Sequence, residues 1–348
     1  MNRLELVTPL KLVAACLAPA KDPIPVNPCF CFTGTEVYTF NDQAALVAPF
    51  KSVWKGAIQG ATMLGWLDAS KAKDIEVEPA ATSLAIKAGR AKTELPILPV
   101  TEFRFAVPDL AKAPSVKLDA SALVALKRAT LSMDEGTAHP WRTGVQAIFT
   151  EKEVTWFTCD DASAVKTYAT CETPKELRGA SPLLPPAFVK LLLARGGTEV
   201  RLTLTPEWYA ATLDDGAVLY SAVPEATDVP TFQGLFSDVS KYKKDAAALP
   251  ATWWGAMTRL NVLLAADKGL GHAAVEVKDG KMVLTILSAL GQARESFKME
   301  TVFKVSALKI PPAIVARAVG EVTKFSLAEG PRLMLFADTM DMVIAAGA

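Results

Sequence analysis

Hydrophobic positions along this chain switch between two periods, and they switch in a repeated order. Leu118-Asp119-Ala120-Ser121 leads into a segment with Ala122, Leu123, Leu126, Ala129 and Leu131 at helical spacing. Asp119 or Ser121 suits its N-cap. Strand-like runs follow at 144–150, 153–159 and 164–170, parted by turn-like Glu151-Lys152 and Asp160-Asp161. The order is strand, helix, strand, strand, strand. The next stretch repeats it. Leu183-Leu184 precedes a helix at 187–195 opened by Pro185-Pro186. Strands at 199–205, 208–213 and 217–223 follow, the last two split by Asp214-Asp215-Gly216.

The same order reads along the rest of the chain. In the first third, a strand at 4–7 precedes a helix at 9–17 and strands at 29–33, 36–40 and 44–48. A helix at 61–69 then precedes strands at 74–78, 83–88 and 92–98. In the last third, a helix at 252–264 precedes strands at 272–278, 281–288 and 292–299. A strand at 303–307, a helix at 312–319 and strands at 322–327, 332–337 and 341–346 close the series. Six βαβββ units at about 58 residues each fill the 348 residues. Segments 101–115, with Pro108 and Pro114, and 226–245, with Pro230 and Gly234, read as connectors. They mark off three domains of two units each, 1–112, 113–240 and 241–348. The expected fold class is α+β.

Composition narrows the function. Hydrophobic residues make up 51% and charged residues 21%, which excludes a disordered chain. No apolar run reaches the length of a membrane span, and the first residues lack the pattern of a signal peptide. The reading is a soluble intracellular protein with no membrane partner. Lys and Arg total 37 against 37 Asp and Glu, so a generic basic nucleic-acid-binding domain is not expected, although a local basic surface is compatible.

The five cysteines form no disulfide scaffold. Cys29 and Cys31 share a strand face and read as core rather than half a metal site, as do Cys159 and Cys171. His139 and His272 stand in no triad pattern. Arg195-Gly196-Gly197 reads as a helix end, and Gly269-Leu270-Gly271 leads into a strand rather than a helix. No catalytic residue, metal or cofactor is expected. Trp253 and Trp254 do not share a helix face, so one is expected in the core and the other at a boundary.

At this point the chain resembles the bacterial sliding clamp, the beta subunit of DNA polymerase III. The resemblance covers nearly the whole chain in element order and is most specific in three places. Residues 86–99, with Gly89-Arg90-Ala91-Lys92 and Leu95-Pro96-Ile97-Leu98-Pro99, resemble the end of the family's first domain. Residues 126–133 with Gly144-Val145 resemble the start of its second. Val229-Pro230-Thr231-Phe232 resembles its second connector.

The departures are also specific. The family's "TDGHRL" turn appears as Cys159-Asp160-Asp161-Ala162-Ser163-Ala164, Thr93 replaces an interface Phe, and the C-terminus lacks the usual ending. Such divergence fits a clamp working with its own replisome, a phage one being one origin.

The resemblance implies three doubled βαβββ domains with helices lining a hole and sheets outside. It implies a head-to-tail homodimer encircling duplex DNA without reading its sequence. A polymerase and a clamp loader would dock through a short peptide motif, in the cytoplasm of a bacterial cell, infected or not.

Six helix windows hold eight cations against two acids, or four acids if Asp134 and Glu321 are admitted, an asymmetry that supports phosphate proximity. The DNA-facing candidates are Lys11, Lys127, Arg128, Lys190, Arg195, Arg259 and Arg317, joined by the loop residues Lys21, Trp141 and Arg142. The peptide pocket implied between the second and third domains comprises Ala162, Ala164, Val165, Pro230, Phe232, Leu235, Met342, Val343 and Ile344. The implied dimer interface pairs 92–98, with Lys92, Thr93 and Leu95, against 292–299, with Val262 and Leu263 nearby. Two other readings stay open: a β-rich structural or assembly protein whose repeat mimics a clamp, and a hydrolase with scattered carboxylates.

Overall fold

The computed structural model describes residues 1–134, 139–195, 197–224, 232–265, 271–288, 291–299, 301, 303, 305 and 307–346. The repeat is present six times. The first repeat holds α1 (Arg3–Val13), β1 (Cys29–Phe32), β2 (Glu36–Phe40) and β3 (Ala44–Pro49). The second holds β4 (Gly56–Gln59), α2 (Gly60–Ala69), β5 (Glu76–Pro79), β6 (Ser83–Ala88) and β7 (Ala91–Pro96). The third holds β8 (Ser115–Asp119), α3 (Ala120–Ala129), a turn of helix α4 (Pro140–Thr143), β9 (Val145–Phe149), β10 (Glu153–Cys159) and β11 (Ser163–Thr170).

The fourth holds β12 (Leu183–Leu184), α5 (Pro186–Arg195), β13 (Glu199–Leu204), β14 (Trp208–Leu213) and β15 (Val218–Ala222). After a short helix α6 (Val239–Lys244), the fifth holds β16 (Ala247–Ala248), α7 (Trp253–Ala265), β17 (Ala273–Lys278), β18 (Lys281–Ser288) and β19 (Gly291–Lys298). The sixth holds β20 (Ala307–Ile310), α8 (Pro312–Ala316), β21 (Lys324–Ala328), β22 (Arg332–Ala337) and β23 (Met340–Ala345).

Three expectations are corrected. Residues 4–7 are helical, because Asn2 caps Leu4 N–H and Glu5 reaches back to Asn2 N–H in a capping box that starts α1 earlier. The opening strand of the first repeat is reduced to the bridge between Asn2 and Asp74. The strand expected at 303–307 lies at Ala307–Ile310, while 302, 304 and 306 lie outside the described residues. The second connector contains α6, which the lysines near its end disguised as linker.

The chain gathers into two compact units. The first comprises Met1–Ala120, Pro174–Leu177 and Ala187–Glu225. It carries the sheet β4-β1-β2-β3-β15-β14-β13-β8 and the smaller sheet β5-β6-β7. The second comprises Ser121–Thr173, Arg178–Pro186 and Ala226–Ala348. It carries β12-β9-β10-β11-β23-β22-β21-β16 and β19-β18-β17-β20.

One rule generates all of these orders. The opening strand of a repeat closes the sheet of a neighbouring repeat: β4 joins the first, β8 the fourth, β12 the third, β16 the sixth and β20 the fifth. The large sheets then arise where last strands meet. β3 pairs antiparallel with β15 from Ala44↔Ser221 to Val47↔Val218, and β11 with β23 from Ser163↔Ile344 to Thr167↔Met340.

The described part of each connector packs on one face of a large sheet. Phe105, 3% exposed, stacks on Phe40 at 5.4 Å and meets Trp208 at 5.2 Å, in a cluster with Tyr38 and Tyr220. In the second unit, Phe236, Val239 and Tyr242 cover Phe157, Ala164, Phe336 and Val343. Burying several aromatic rings in this way stabilises each junction by several kcal/mol in total, at about 25 cal/mol per Å². The opposite face of the second sheet packs on Trp253, which stacks on Phe325 at 5.7 Å. Trp254 is half-buried against the same core.

Candidate functional site

The helices present their cations because their apolar stripes are spent on the sheets. In α3 the buried set is Ala122, Leu123, Ala125, Leu126 and Ala129, which turns Val124 and Lys127 outward. In α5 it is Phe188, Val189 and Leu192, leaving Lys190 exposed. Lys21 is exposed in the loop after α1.

Several of the candidates are engaged by groups from other elements. Lys11 lies 2.8 Å from Asp68 of α2, and Arg259 lies 2.7 Å from Glu295 of β19. Arg128 donates Nε–H to Glu321 at 2.7 Å and Nη1–H to Thr339 Oγ1 at 3.0 Å. Arg317 donates to Asp160 and to the Leu131 carbonyl. Arg195 donates to the Leu12 carbonyl, and Arg142 to Asp161. Trp141 sits in α4, and its side chain lies outside the described residues.

The helix segments read as cationic because two of the neutralising acids, Asp160 and Glu295, arrive from elsewhere in the chain, and Glu321 lies just past the last helix. Lys21, Lys127 and Lys190 are exposed, as are the ion-paired Lys11, Arg259 and Arg317, and these are the accessible cations of the candidate set. Arg128, Arg142 and Arg195 are more covered and brace the fold.

The residues assigned to a peptide pocket divide between the two faces of one sheet. Ala164 pairs with Val343, and both lie under α6. Val165, Met342 and Ile344 point to the helix side and are 0% exposed. Strand alternation prevents the two sets from lining one groove. Ala162 is half-buried against the helix-side core, and Leu235 is 48% exposed. Pro230 and the Phe232 side chain lie outside the described residues.

Asp160, the acid kept from the family turn, accepts from the backbone N–H of Ala162 at 2.9 Å and of Ser163 at 2.6 Å. Together with its bond to Arg317, this makes it a turn-forming group.

At the candidate interface strands, Lys92 is exposed, Thr93 half-buried and Leu95 buried at 5%. Val262 is 66% exposed and Leu263 half-buried. Leu287, which the sequence reading missed, is 81% exposed on β18, opposite Gln292 of β19. Strand alternation alone does not say which face stays uncovered.

The cysteines are free and buried. Burial pushes Cys16 and Cys31 up to about 12 and Cys29 and Cys159 up to about 11, as inert core thiols require. Among the described residues, no group of His, Cys, Asp and Glu is arranged to hold a metal, and no helix is long and apolar enough to cross a membrane.

No family model and no curated protein matches the chain by sequence. Solved structures do match. The chain is similar to the DNA polymerase III subunit beta from Pseudomonas aeruginosa, with TM-score 0.83 and 14% identity over 100% of this chain and 99% of that one. It is similar to the beta subunit from the DNA polymerase of Streptococcus pyogenes, with TM-score 0.83 and 14% identity over 99% and 98%. The DNA polymerase III beta subunit from Thermotoga maritima matches with TM-score 0.82 and 12% identity over 100% and 98%. The chain therefore has the sliding-clamp fold, in a divergent sequence.

Proposed function

We propose that this chain is a DNA polymerase processivity factor. Two copies close head to tail around duplex DNA, slide on it, and tether replication proteins without catalysing a reaction. The observation that carries this reading is the pairing of last strands. The first repeat pairs with the fourth and the third with the sixth, and the large sheets result. The last strands of the second and fifth repeats, β7 and β19, keep an open edge among the described residues. The same antiparallel rule applied between two copies joins β7 of one to β19 of the other at both ends of the chain, which closes a two-chain assembly. Exposed Val262 and Leu287 lie on elements packed with β19 and are the apolar surface such a contact would cover.

Strand exchange between adjacent repeats supports domains at 1–112, 113–240 and 241–348, six in a dimer. A topological ring needs little intrinsic affinity for DNA, which suits a chain with no net charge. Lys21, Lys127 and Lys190, with the exposed Lys11, Arg259 and Arg317, meet phosphates. A polymerase and a clamp loader dock through a short peptide at the surface around Leu235, in a bacterial cytoplasm. The fold, which solved DNA polymerase sliding clamps share, supports the reading.

The test is retention on DNA. The purified protein, loaded on nicked circular duplex, should stay bound in high salt and fall off once the circle is cut. A sedimentation profile of monomer alone at micromolar concentration, with equal retention on circular and linear DNA, would overturn it.

A further inference from the structure

We infer that a groove beside α1 is a second docking site, one that takes an arginine flanked by apolar side chains from a protein partner.

At each junction of last strands, an arginine near the end of a helix reaches across to the neighbouring repeat. At the β11–β23 junction, Arg128 follows this course from α3 to Glu321 and Thr339. Arg317 makes the reciprocal crossing from the end of α8 to Asp160 and the Leu131 carbonyl. At the β3–β15 junction, Arg195 crosses from α5 to the Leu12 carbonyl of α1. The fourth crossing would start from the last turn of α1. That turn offers Lys11, drawn to Asp68 at 2.8 Å, and Leu12. Among the described residues, no arginine makes this crossing.

A groove of about 710 Å³ lies there instead. Leu4, Glu5 and Leu12 of α1 form one wall, Pro49 and Lys51 another, and Asp215 of the β14–β15 turn stands at its rim. Leu4 is 57% exposed. Glu5 accepts from Asn2 N–H at 3.2 Å and Asp215 from Ala217 N–H at 3.0 Å, each through one oxygen, which orients the carboxylate and leaves its second oxygen for a ligand. Among the lining side chains, two carboxylates against the one ammonium of Lys51 favour a cation and disfavour a phosphate, the Met1 ammonium being taken up by the Ile75 carbonyl at 2.9 Å. Leucine and proline walls accept the aliphatic stem of an arginine, and its planar fork suits a carboxylate better than a lysine does. The occupant is therefore the group that the other three crossings already hold, supplied in trans.

A heptapeptide display library panned on the full chain tests this, after subtraction on a Leu12→Arg chain that puts the missing arginine in cis. The enriched peptides should carry an arginine next to Leu, Ile, Val, Phe or Met. A fluorescein-labelled member should bind about tenfold more weakly to Asp215→Asn, as expected for losing a charged hydrogen bond. It should fail to bind Leu12→Arg. If Leu12→Arg melts early, Leu4→Arg, at an exposed position lining the same groove, takes its place. Enrichment of acidic or purely apolar peptides, no enrichment, or binding unchanged in both variants would overturn the inference. A change of oligomeric state in Leu12→Arg would assign the groove to a second copy of the chain, and competition by duplex DNA would assign it to nucleic acid; either result would also overturn it. DNA retention measured in the same variants keeps failure here distinct from failure of the clamp reading.

Discussion

Arg128 and Glu321 are 193 residues apart in sequence, and their Nε and carboxylate oxygen are 2.7 Å apart in space. With Arg317 and Asp160 they tie the third repeat to the sixth from both sides. Both members of the Arg128 pair are about three-quarters to two-thirds covered, so the pair is worth more than a surface bridge.

Arg128→Ala should therefore cost about 1–2 kcal/mol of stability, through the lost hydrogen bonds to Glu321 and Thr339. Lys127→Glu and Lys190→Glu, at exposed positions, should shift melting by little and shorten retention on circular DNA. Thermal melts beside a DNA-retention assay check the division. If Arg128→Ala lost retention at unchanged stability, the structural assignment of Arg128 would fail.

Val343→Asp places a carboxylate under α6 at a position 7% exposed. The buried charge should destabilise by roughly 3 kcal/mol or more and should not give a folded ring defective only in partner binding. Leu235→Glu, at an exposed site, should leave folding within about 0.5 kcal/mol and weaken stimulation of a cognate polymerase. Chemical denaturation of both variants, with primer extension for the second, separates them.

Val262→Glu combined with Leu287→Glu should yield monomers. Both side chains are largely exposed in one copy, so the fold should persist while the open edge of β19 gains repelling charges. Sedimentation velocity at micromolar concentration reads the outcome; an intact dimer would exclude this edge from the interface.

Asp238 and Arg332 make a two-point pair at 2.6 and 3.1 Å that anchors α6, and the guanidinium holds the Asp238 carboxyl below its ordinary 3.8. A depressed carboxyl stabilises the fold above its unfolded value and loses that contribution as pH falls through the folded one. The melting difference between the native chain and Arg332→Ala should be full at pH 6 and shrink as pH drops below 3.8. A difference that grew in acid would contradict the pairing.

The five buried thiols should resist an aromatic disulfide reagent at pH 8 in the native protein and all react after unfolding. Absorbance at the released thiolate counts them. Fast native labelling of Cys29 or Cys31 would mean that β1 opens.

The sequence alone determined the repeat. Helical and strand periods are local, so α3, α5, β10, β14, β18 and β22 are legible from residues a few positions apart, and their order points to the fold. Leu4–Val7 misled because a capping box outweighed strand-like residues, and β4 and β16, at four and two residues, are too short to carry a period. Tertiary structure decided what each side chain does. Alternation put Val165 and Val343 on opposite faces once β11 met β23, and a strand's partner is not written in the strand. The arginines that read as DNA-facing met Glu321, Asp160 and the Leu12 carbonyl because folding brings together groups more than 150 residues apart, where no local pattern couples them.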